Sequence, residues 1–240
     1  MFAHRGLALE APENTLLAFE RARAAGVTHL ETDVHGSSDG VSIVSHDPDL
    51  TRLAGREVQV GQLSARELRR IDLGQGQGFC SLAEALDAFP DARFNIDIKS
   101  ADAVAPTVAA IRDARAVDRV LIGSFSPARR LAVVRRLPGV ATSVSSRGAI
   151  AAVGTARTAG GIPALRRILR DVDAVQLPLS IFRMSTMTPR TIAAFHAAGV
   201  EVHVWTINDE PTMERLLDLG VDGLVSDRAD LAMGVLARRS

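Results

Sequence analysis

Short β-branched runs alternate along this chain with longer Ala/Leu/Arg-rich stretches whose apolar positions recur at helical spacing. The pattern predicts strands at Phe2–His4, His29–His35, Val41–His46, Phe94–Lys99, Val120–Ser124, Ala141–Val144, Ala174–Leu177, Val200–Thr206 and Gly223–Ser226. Helices fill most of the gaps and carry readable starts and stops. Asn14 is placed to cap a helix ending before Gly26. Ser64 with Glu67, and Ser81 with Glu84, read as capping boxes, and Gly199 closes a helix that starts at Pro189. Such alternation over 240 residues, with no Pro/Gly/Ser-rich linker, predicts an α/β protein with one domain, residues 1–240, folded as a TIM-type (β/α)8 barrel. A doubly wound open sheet is the competing architecture, weakened because no G-x-G-x-x-G follows the first strand.

Nine predicted strands are one too many for an eight-stranded barrel. The surplus falls in Glu31–Asp47, a hairpin-like region with no helix between its two strands. Asp39-Gly40 is a strong two-residue turn signal there. With that turn, facing residue numbers add up to 79, which makes Asp33 and His46 cross-strand partners.

The same region carries the chemistry. Strand alternation puts Glu31 and Asp33 on one face, and acids pointing into a barrel are costly unless a cation compensates them. The alternative is a solvated strand end, or carboxylates satisfied by arginine. Asn95, Asp97 and Lys99 share a face of their strand, while Ile96 and Ile98 turn toward the outer helices. Asp97 suits a third carboxylate ligand and Lys99 suits an anionic oxygen; an internal Lys99–Asp97 salt bridge is the bland alternative. Three carboxylates select a hard cation, Mg²⁺, Mn²⁺ or Ca²⁺, over zinc.

His4-Arg5-Gly6 ends the first strand at the mouth of such a barrel. Arg5 offers a planar fork for phosphate, and His4 titrates in the range useful for proton transfer. A lone histidine is more often a satisfied core residue, but His46 stands at a strand end too. Trp205 fits either the apolar wall of a ligand site or plain core filling. His203 is expected to be buried and hydrogen-bonded, and His196 to sit on a helix surface. A divalent-metal site flanked by two histidines suits hydrolysis of a phosphodiester.

Composition narrows the class. The chain is 47% hydrophobic, with 28 basic and 28 acidic residues, a balance that argues against a nucleic-acid groove or a polybasic membrane patch. Cys80 is the only cysteine, which excludes an intrachain disulfide and a cysteine-based metal centre. Arg129-Arg130, Arg135-Arg136 and Arg166-Arg167 read as solvated helix faces. The N-terminus lacks a basic region followed by an apolar core, and no apolar run reaches ~18 residues, so a cytoplasmic protein without stable membrane insertion is expected.

Together these residues resemble the glycerophosphodiester phosphodiesterase family. The likeness rests on A-H-R-G at Ala3–Gly6, P-E-N-T at Pro12–Thr15, the E-x-D…D-G…H-D block, N-I-D-I-K, S-F-S at Ser124–Ser126, V-W-T-I-N-D at Val204–Asp209 and V-D-G-L-V-S-D-R from Val221. It implies a TIM-type barrel that uses a divalent cation to hydrolyse glycerophosphodiesters to sn-glycerol 3-phosphate and an alcohol, in lipid and glycerol metabolism. By position it makes His4 and His46 the acid–base pair, Glu31, Asp33 and Asp97 the metal ligands, and Arg5 and Lys99 the phosphate contacts. It places Glu13 in a supporting role and Trp205 on the glycerol side.

Asp97 departs from the family pattern, which usually has Glu there. The shorter side chain retracts its carboxylate by roughly a bond length, ~1.5 Å, against metal–oxygen distances of ~2.1 Å for Mg²⁺ and ~2.3–2.6 Å for Ca²⁺. The segment Gly74–Cys80 is short where relatives often carry an insertion, which implies a more open mouth. Two other readings compete: a phospholipase- or lyase-type phosphodiesterase acting on lipid head groups, and a barrel that binds phosphate ligands without turning them over.

Overall fold

The computed structural model describes residues 1–239. In chain order its elements are β1 (Phe2–His4), α1 (Leu16–Ala24), β2 (His29–Gly36), β3 (Ser42–Val44), β4 (Asp49–Leu50), α2 (Thr51–Ala54), β5 (Arg56–Gln59), α3 (Ala65–Arg69), α4 (Leu82–Ala88), β6 (Arg93–Ile98), α5 (Val104–Asp113), β7 (Val120–Gly123), α6 (Pro127–Val134), β8 (Ala141–Thr142), α7 (Ser146–Ala156), α8 (Ile162–Leu169), β9 (Ala174–Pro178), β10 (Ser180–Ile181), β11 (Met184–Ser185), α9 (Pro189–Ala198), β12 (Glu201–Trp205), α10 (Glu210–Asp218), β13 (Gly223–Ser226) and α11 (Ala229–Ala237).

Eight of the strands run parallel in the spatial order β8-β7-β6-β2-β1-β13-β12-β9. Val144 N donates to Ala174 O at 3.0 Å and Asp173 N to Thr142 O at 2.8 Å, so the two ends of the sheet meet and the barrel is nearly closed. The (β/α)8 expectation holds. Side chains that turn outward from the strands, such as Leu30, Phe94, Ile96 and Ile98, are buried against the helices together with Phe19. Each large apolar side chain so buried contributes roughly 1.5–3 kcal/mol. Among the described residues no helix is long and apolar enough to cross a membrane.

The ninth strand, β3, pairs antiparallel with the far end of β2, outside the ring. Its register corrects the sequence reading by one residue. Val34 faces Val44 and His35 faces Ile43, so Ser45, not His46, stands opposite Asp33, whose carbonyl accepts from Ser45 N at 3.0 Å. The cause is the turn. Gly40 N donates to Ser37 O, Val41 N to the Ser37 hydroxyl, and Gly40 takes the left-handed conformation (φ 76°). Ser37 thereby recruits Ser38 into a longer turn, and Asp39-Gly40 forms its second half.

Residues 45–80 then leave the barrel as a small lobe holding β4, α2, β5 and α3. It has its own core of Ile43, Leu50, Val60, Leu68, Ile71 and Phe79. The capping boxes at Ser64/Glu67 and Ser81/Glu84, and the glycine stop at Gly199 (φ 86°), are as expected. Asn14 is not: Thr15 caps α1 by accepting from Ala18 N, and Asn14 is used elsewhere. The β10–β11 hairpin was not foreseen.

Candidate active site

The C-terminal ends of the strands open into a cavity of about 390 Å³. Its polar end is set by the turn after β1. Arg5 takes a left-handed conformation (φ 56°), and its N–H reaches both the carbonyl (3.0 Å) and Oε2 (3.1 Å) of Glu31. Gly6 follows at φ 84°, so close to α1 that a Cβ would lie 2.7 Å from Ala18 atoms. Only glycine satisfies both demands, and the strained Arg5 backbone is the kind that clusters at functional sites.

Parallel pairing then lines up two rows of polar groups. His4, Glu31 and Asn95 stand side by side across β1, β2 and β6, and Asp33 pairs with Asp97 in the next inward row. Glu31 is 7% and Asp33 2% exposed. Lys99, the only lysine of the chain, lies between the second pair, 2.9 Å from Asp33 Oδ1 and 2.7 Å from Asp97 Oδ2. The Lys99–Asp97 salt bridge considered from sequence is therefore present, extended to Asp33. Asn14 Nδ2 donates to Asp33 Oδ2 at 3.3 Å, and Thr32 Oγ1 to Asn14 Oδ1 at 2.8 Å, which explains why Asn14 does not cap α1.

Both histidines border the cavity, each backed by a carboxylate at Nδ1. His4 Nδ1 is 2.5 Å from Asp227 Oδ1, and His46 Nδ1 is 2.7 Å from Asp47 Oδ1. The two carboxylates are held differently. Asn208 Nδ2 donates to Asp227 Oδ2 at 2.8 Å, whereas Arg52 Nε donates to Asp47 Oδ2 at 2.6 Å. Arg52 also grips both oxygens of Glu13, at 3.0 and 2.6 Å, and Glu13 accepts from Arg5 Nη1 at 2.9 Å. A chain of charges thus runs Arg5–Glu13–Arg52–Asp47–His46 and ties the lobe to the first loop of the barrel.

Burial dominates the electrostatics of this end. It pushes Glu31 up to about 8, with Asp33 adding to the effect. Burial raises Asp97 as well, even against the Lys99 ammonium. It pulls the other way on His4, yet the Asp227 hydrogen bond and the Glu31 charge outweigh it and hold His4 above its ordinary value. Its hydrogen bond to His4 keeps Asp227 below the usual carboxylate range.

The donor set suits a hard cation. Glu31, Asp33 and Asp97 offer oxygen ligands, and Asp97 Oδ1 and Asn95 Oδ1 are buried without a hydrogen-bond partner. Among the described residues no three His, Cys, Asp or Glu side chains are already gathered as a metal cage. Lys99 supplies the positive charge between Asp33 and Asp97 in this arrangement.

Apolar side chains line another part of the cavity, next to these polar groups. They are Phe125, Ile150, Pro178, Ile181 and Trp205. Trp205 meets Phe125 edge to face at 6.2 Å, and Lys99 Nζ stands 5.4 Å from the Phe125 ring centroid. Trp205 lines this cavity and is not part of the buried core.

Every residue assigned a catalytic, metal, phosphate or substrate role from sequence borders this cavity: His4, Arg5, Glu31, Asp33, His46, Asp97, Lys99 and Trp205. Glu13, given a supporting role, touches the site through Arg5. Sequence reasoning missed the roles of Asn14, Asp47, Arg52, Phe125 and Asp227, although all but Arg52 lie inside the quoted motifs. His203 is 2% exposed and bonded to Glu201 at 2.9 Å, and His196 is on a helix surface beside Asp222, both as expected. Arg129 and Arg130 are not a solvated face. Arg130 is buried and bonds Thr142 Oγ1, while Arg129 donates to Ser124 Oγ and to the Lys99 carbonyl.

Comparison with known proteins bears on the family and the fold. The model of the Glycerophosphoryl diester phosphodiesterase family matches residues 4–231. The "Probable glycerophosphodiester phosphodiesterase 2" of Mycobacterium tuberculosis is 42% identical over 238 residues, covering 99% of this chain and 90% of the relative. Mouse "Lysophospholipase D GDPD1" is 26% identical over 261 residues, covering 94% of this chain and 82% of the relative. The crystal structure of glycerophosphodiester phosphodiesterase from Agrobacterium tumefaciens str. C58 superposes with a TM-score of 0.82 at 26% identity, covering 98% of each chain. A match over nearly the whole chain, on a barrel whose mouth gathers the motif residues into one cavity, means that this chain belongs to the glycerophosphoryl diester phosphodiesterase family.

Proposed function

We propose that this protein hydrolyses glycerophosphodiesters to sn-glycerol 3-phosphate and an alcohol, with His4 and His46 moving the protons and Glu31, Asp33 and Asp97 holding a divalent cation, Mg²⁺, Ca²⁺ or Mn²⁺. The observation that carries this reading is the pair of histidines. Both are engaged at Nδ1 by a carboxylate and both border the cavity end that holds Arg5 and Lys99. A carboxylate at Nδ1 fixes the ring and leaves Nε2 for the reacting groups.

One histidine takes the proton from the nucleophile as its oxygen bonds to phosphorus. That nucleophile is either water, which gives glycerol 3-phosphate directly, or the 2-hydroxyl of the substrate's glycerol, which gives a cyclic phosphate that water then opens to glycerol 3-phosphate. The other histidine returns a proton to the departing alcohol as its P–O bond breaks. Arg5, oriented by Glu13, faces the non-bridging oxygens, and Lys99 adds a second positive charge. A bound cation supplies charge neutralisation of the phosphate. Trp205 and Phe125 offer a flat apolar wall for the carbon skeleton.

The apolar part of the cavity favours a second reading, in which one side of the diester carries an apolar chain, as in a lysophospholipid. Phe125, Ile150 and Ile181 give such a chain a surface that a small polar head group does not need.

The test is release of glycerol 3-phosphate from glycerophosphocholine and glycerophosphoethanolamine, after chelation and then with each cation restored. Release that is lost on chelation and recovered with one ion supports the first reading. Folded protein that releases nothing with any ion, yet cleaves a lysophospholipid, supports the second.

A further inference from the structure

The charge of this chain balances overall but not along its length. From Arg119 to Val200 stand twelve arginines and two acids, Asp171 and Asp173, a surplus of ten positive charges that the remainder cancels. That stretch builds β7 through α9, one side of the barrel. The same side holds most of the exposed large apolar side chains. Phe125, Ile150, Leu179, Phe182 and Met184 all lie on it, at or next to the cavity mouth. Apolar side chains gathered around one opening and set among cations mark an interaction surface.

The β10–β11 hairpin sharpens the point. Ile181 pairs with Met184 across a two-residue turn, and the turn residues are Phe182 (φ 49°) and Arg183 (φ 63°). A turn with two left-handed central residues strongly favours Asn-Gly. A bulky aromatic and an arginine are strained there. Phe182 is nevertheless 76% exposed, so packing does not offset the strain. Arg157 Nη1 donates to Ser185 O at 2.9 Å and pins the base of the hairpin. Arg147 and Arg190 stand in the first turns of α7 and α9 on the same side. They and Arg183 are exposed, and none of the three makes an ion pair with an acid among the described residues.

We propose that this side of the mouth docks on an anionic lipid surface, with Phe182 and Met184 entering the head-group layer and Arg147, Arg183 and Arg190 facing anionic head groups. Aromatic and aliphatic tips beside arginines suit the boundary of a bilayer, where apolar atoms leave water while cations stay at head-group level. Nucleic acid would use the cations but give exposed aliphatic side chains no comparable gain. Docking would bring the cavity against the interface while the acid-rich side of the barrel faces solvent.

Co-sedimentation with vesicles tests this on the full chain. Vesicles of phosphatidylcholine alone are compared with vesicles that also contain phosphatidylglycerol. The expected result is binding to the anionic vesicles that weakens with salt and drops about fivefold for each arginine removed in Arg147→Gln and Arg183→Gln. Phe182→Ser with Met184→Ser should lower binding at least tenfold. Arg135→Gln with Arg136→Gln, at the far end of α6, should leave it unchanged. Melting temperature verifies that each variant is folded. Absence of binding by the wild-type protein overturns the proposal. So do an equal loss in the Arg135/Arg136 control, and full displacement from vesicles by double-stranded DNA.

Discussion

Asp227 Oδ1 lies 2.5 Å from His4 Nδ1, across 223 residues of sequence, and Asn208 holds the carboxylate from behind at 2.8 Å. Strand β13 delivers Asp227 to the end of β1, because Ala3 and Ser226 are register partners. The closing strand of the barrel therefore completes the site that the first strand opens.

Asp227→Asn should keep the shape of this contact but lose the charge that fixes the His4 ring. The expected outcome is a kcat reduced by about 10²–10⁴, with KM for a glycerophosphodiester changed far less and the melting temperature within a few degrees of wild type. Unchanged kcat in a folded Asp227→Asn protein would remove His4 from the proton-moving role.

Arg52 joins Glu13 to Asp47, and so joins the phosphate-facing Arg5 to His46. Arg52 is about half exposed, so Arg52→Gln should cost about 1 kcal/mol of stability or less. Its effect on turnover should be larger, because the lobe loses its tie to the first loop. Glu13→Gln and Arg52→Gln combined should cost clearly less than the sum of the two single losses. Steady-state kinetics on the three variants measure this, and additivity would mean that the two residues act apart.

Asp97 bonds Lys99 and has one unpartnered oxygen. If Asp97 is a cation ligand, Asp97→Glu extends the carboxylate by ~1.5 Å and should raise activity with Mg²⁺ relative to Ca²⁺ severalfold, because the smaller ion demands shorter contacts. An unchanged Mg²⁺/Ca²⁺ activity ratio assigns Asp97 to Lys99 alone.

His29 lies at the other end of the barrel, packed edge-on against Phe2 at 5.0 Å. Burial, then the positive charges of the N-terminus and Arg93, lower it to about 4. Above its unfolded value of ~6.5 the group is neutral in both states and contributes nothing to pH dependence. Between there and about 4 the unfolded chain takes up a proton that the folded protein refuses, so stability falls as pH falls. After discounting for its partial exposure, the loss from pH 7 to 5 is about 1 kcal/mol. His29→Gln should flatten that part of the profile, and urea unfolding at the two pH values measures it. An identical pH dependence in wild type and variant would show that His29 is not responsible.

The barrel was legible because its signals are local. Val120–Gly123 and Gly223–Ser226 are short apolar strands that need only β propensity and a flanking break to be found. The candidate residues were legible because polar side chains on an inward strand face, Glu31 with Asp33 and Asn95 with Asp97, contradict the apolar pattern around them. Features that depend on one side chain choosing between two partners were not. Asn14 and Thr15 are both good caps, and only the folded position of Thr32 and Asp33 draws Asn14 away. Ser37 shifts the hairpin register with a single hydroxyl. Asp227, Asp47 and Arg52 acquire their roles from contacts that no spacing encodes, and Ser180–Ser185 contains no turn signal at all.

The isolation of Lys99 has a practical side. Reagents aimed at primary amines find two targets in the described residues, the Met1 terminus and Lys99. The first is largely buried, and the second is locked as an ammonium between Asp33 and Asp97. Burial alone would make the Lys99 amine easier to deprotonate, but the two carboxylates reverse that. Lys99 should therefore resist amine coupling and amine-directed crosslinking at neutral pH. The little acylation that does reach Lys99 would report directly on how often its two carboxylates let go.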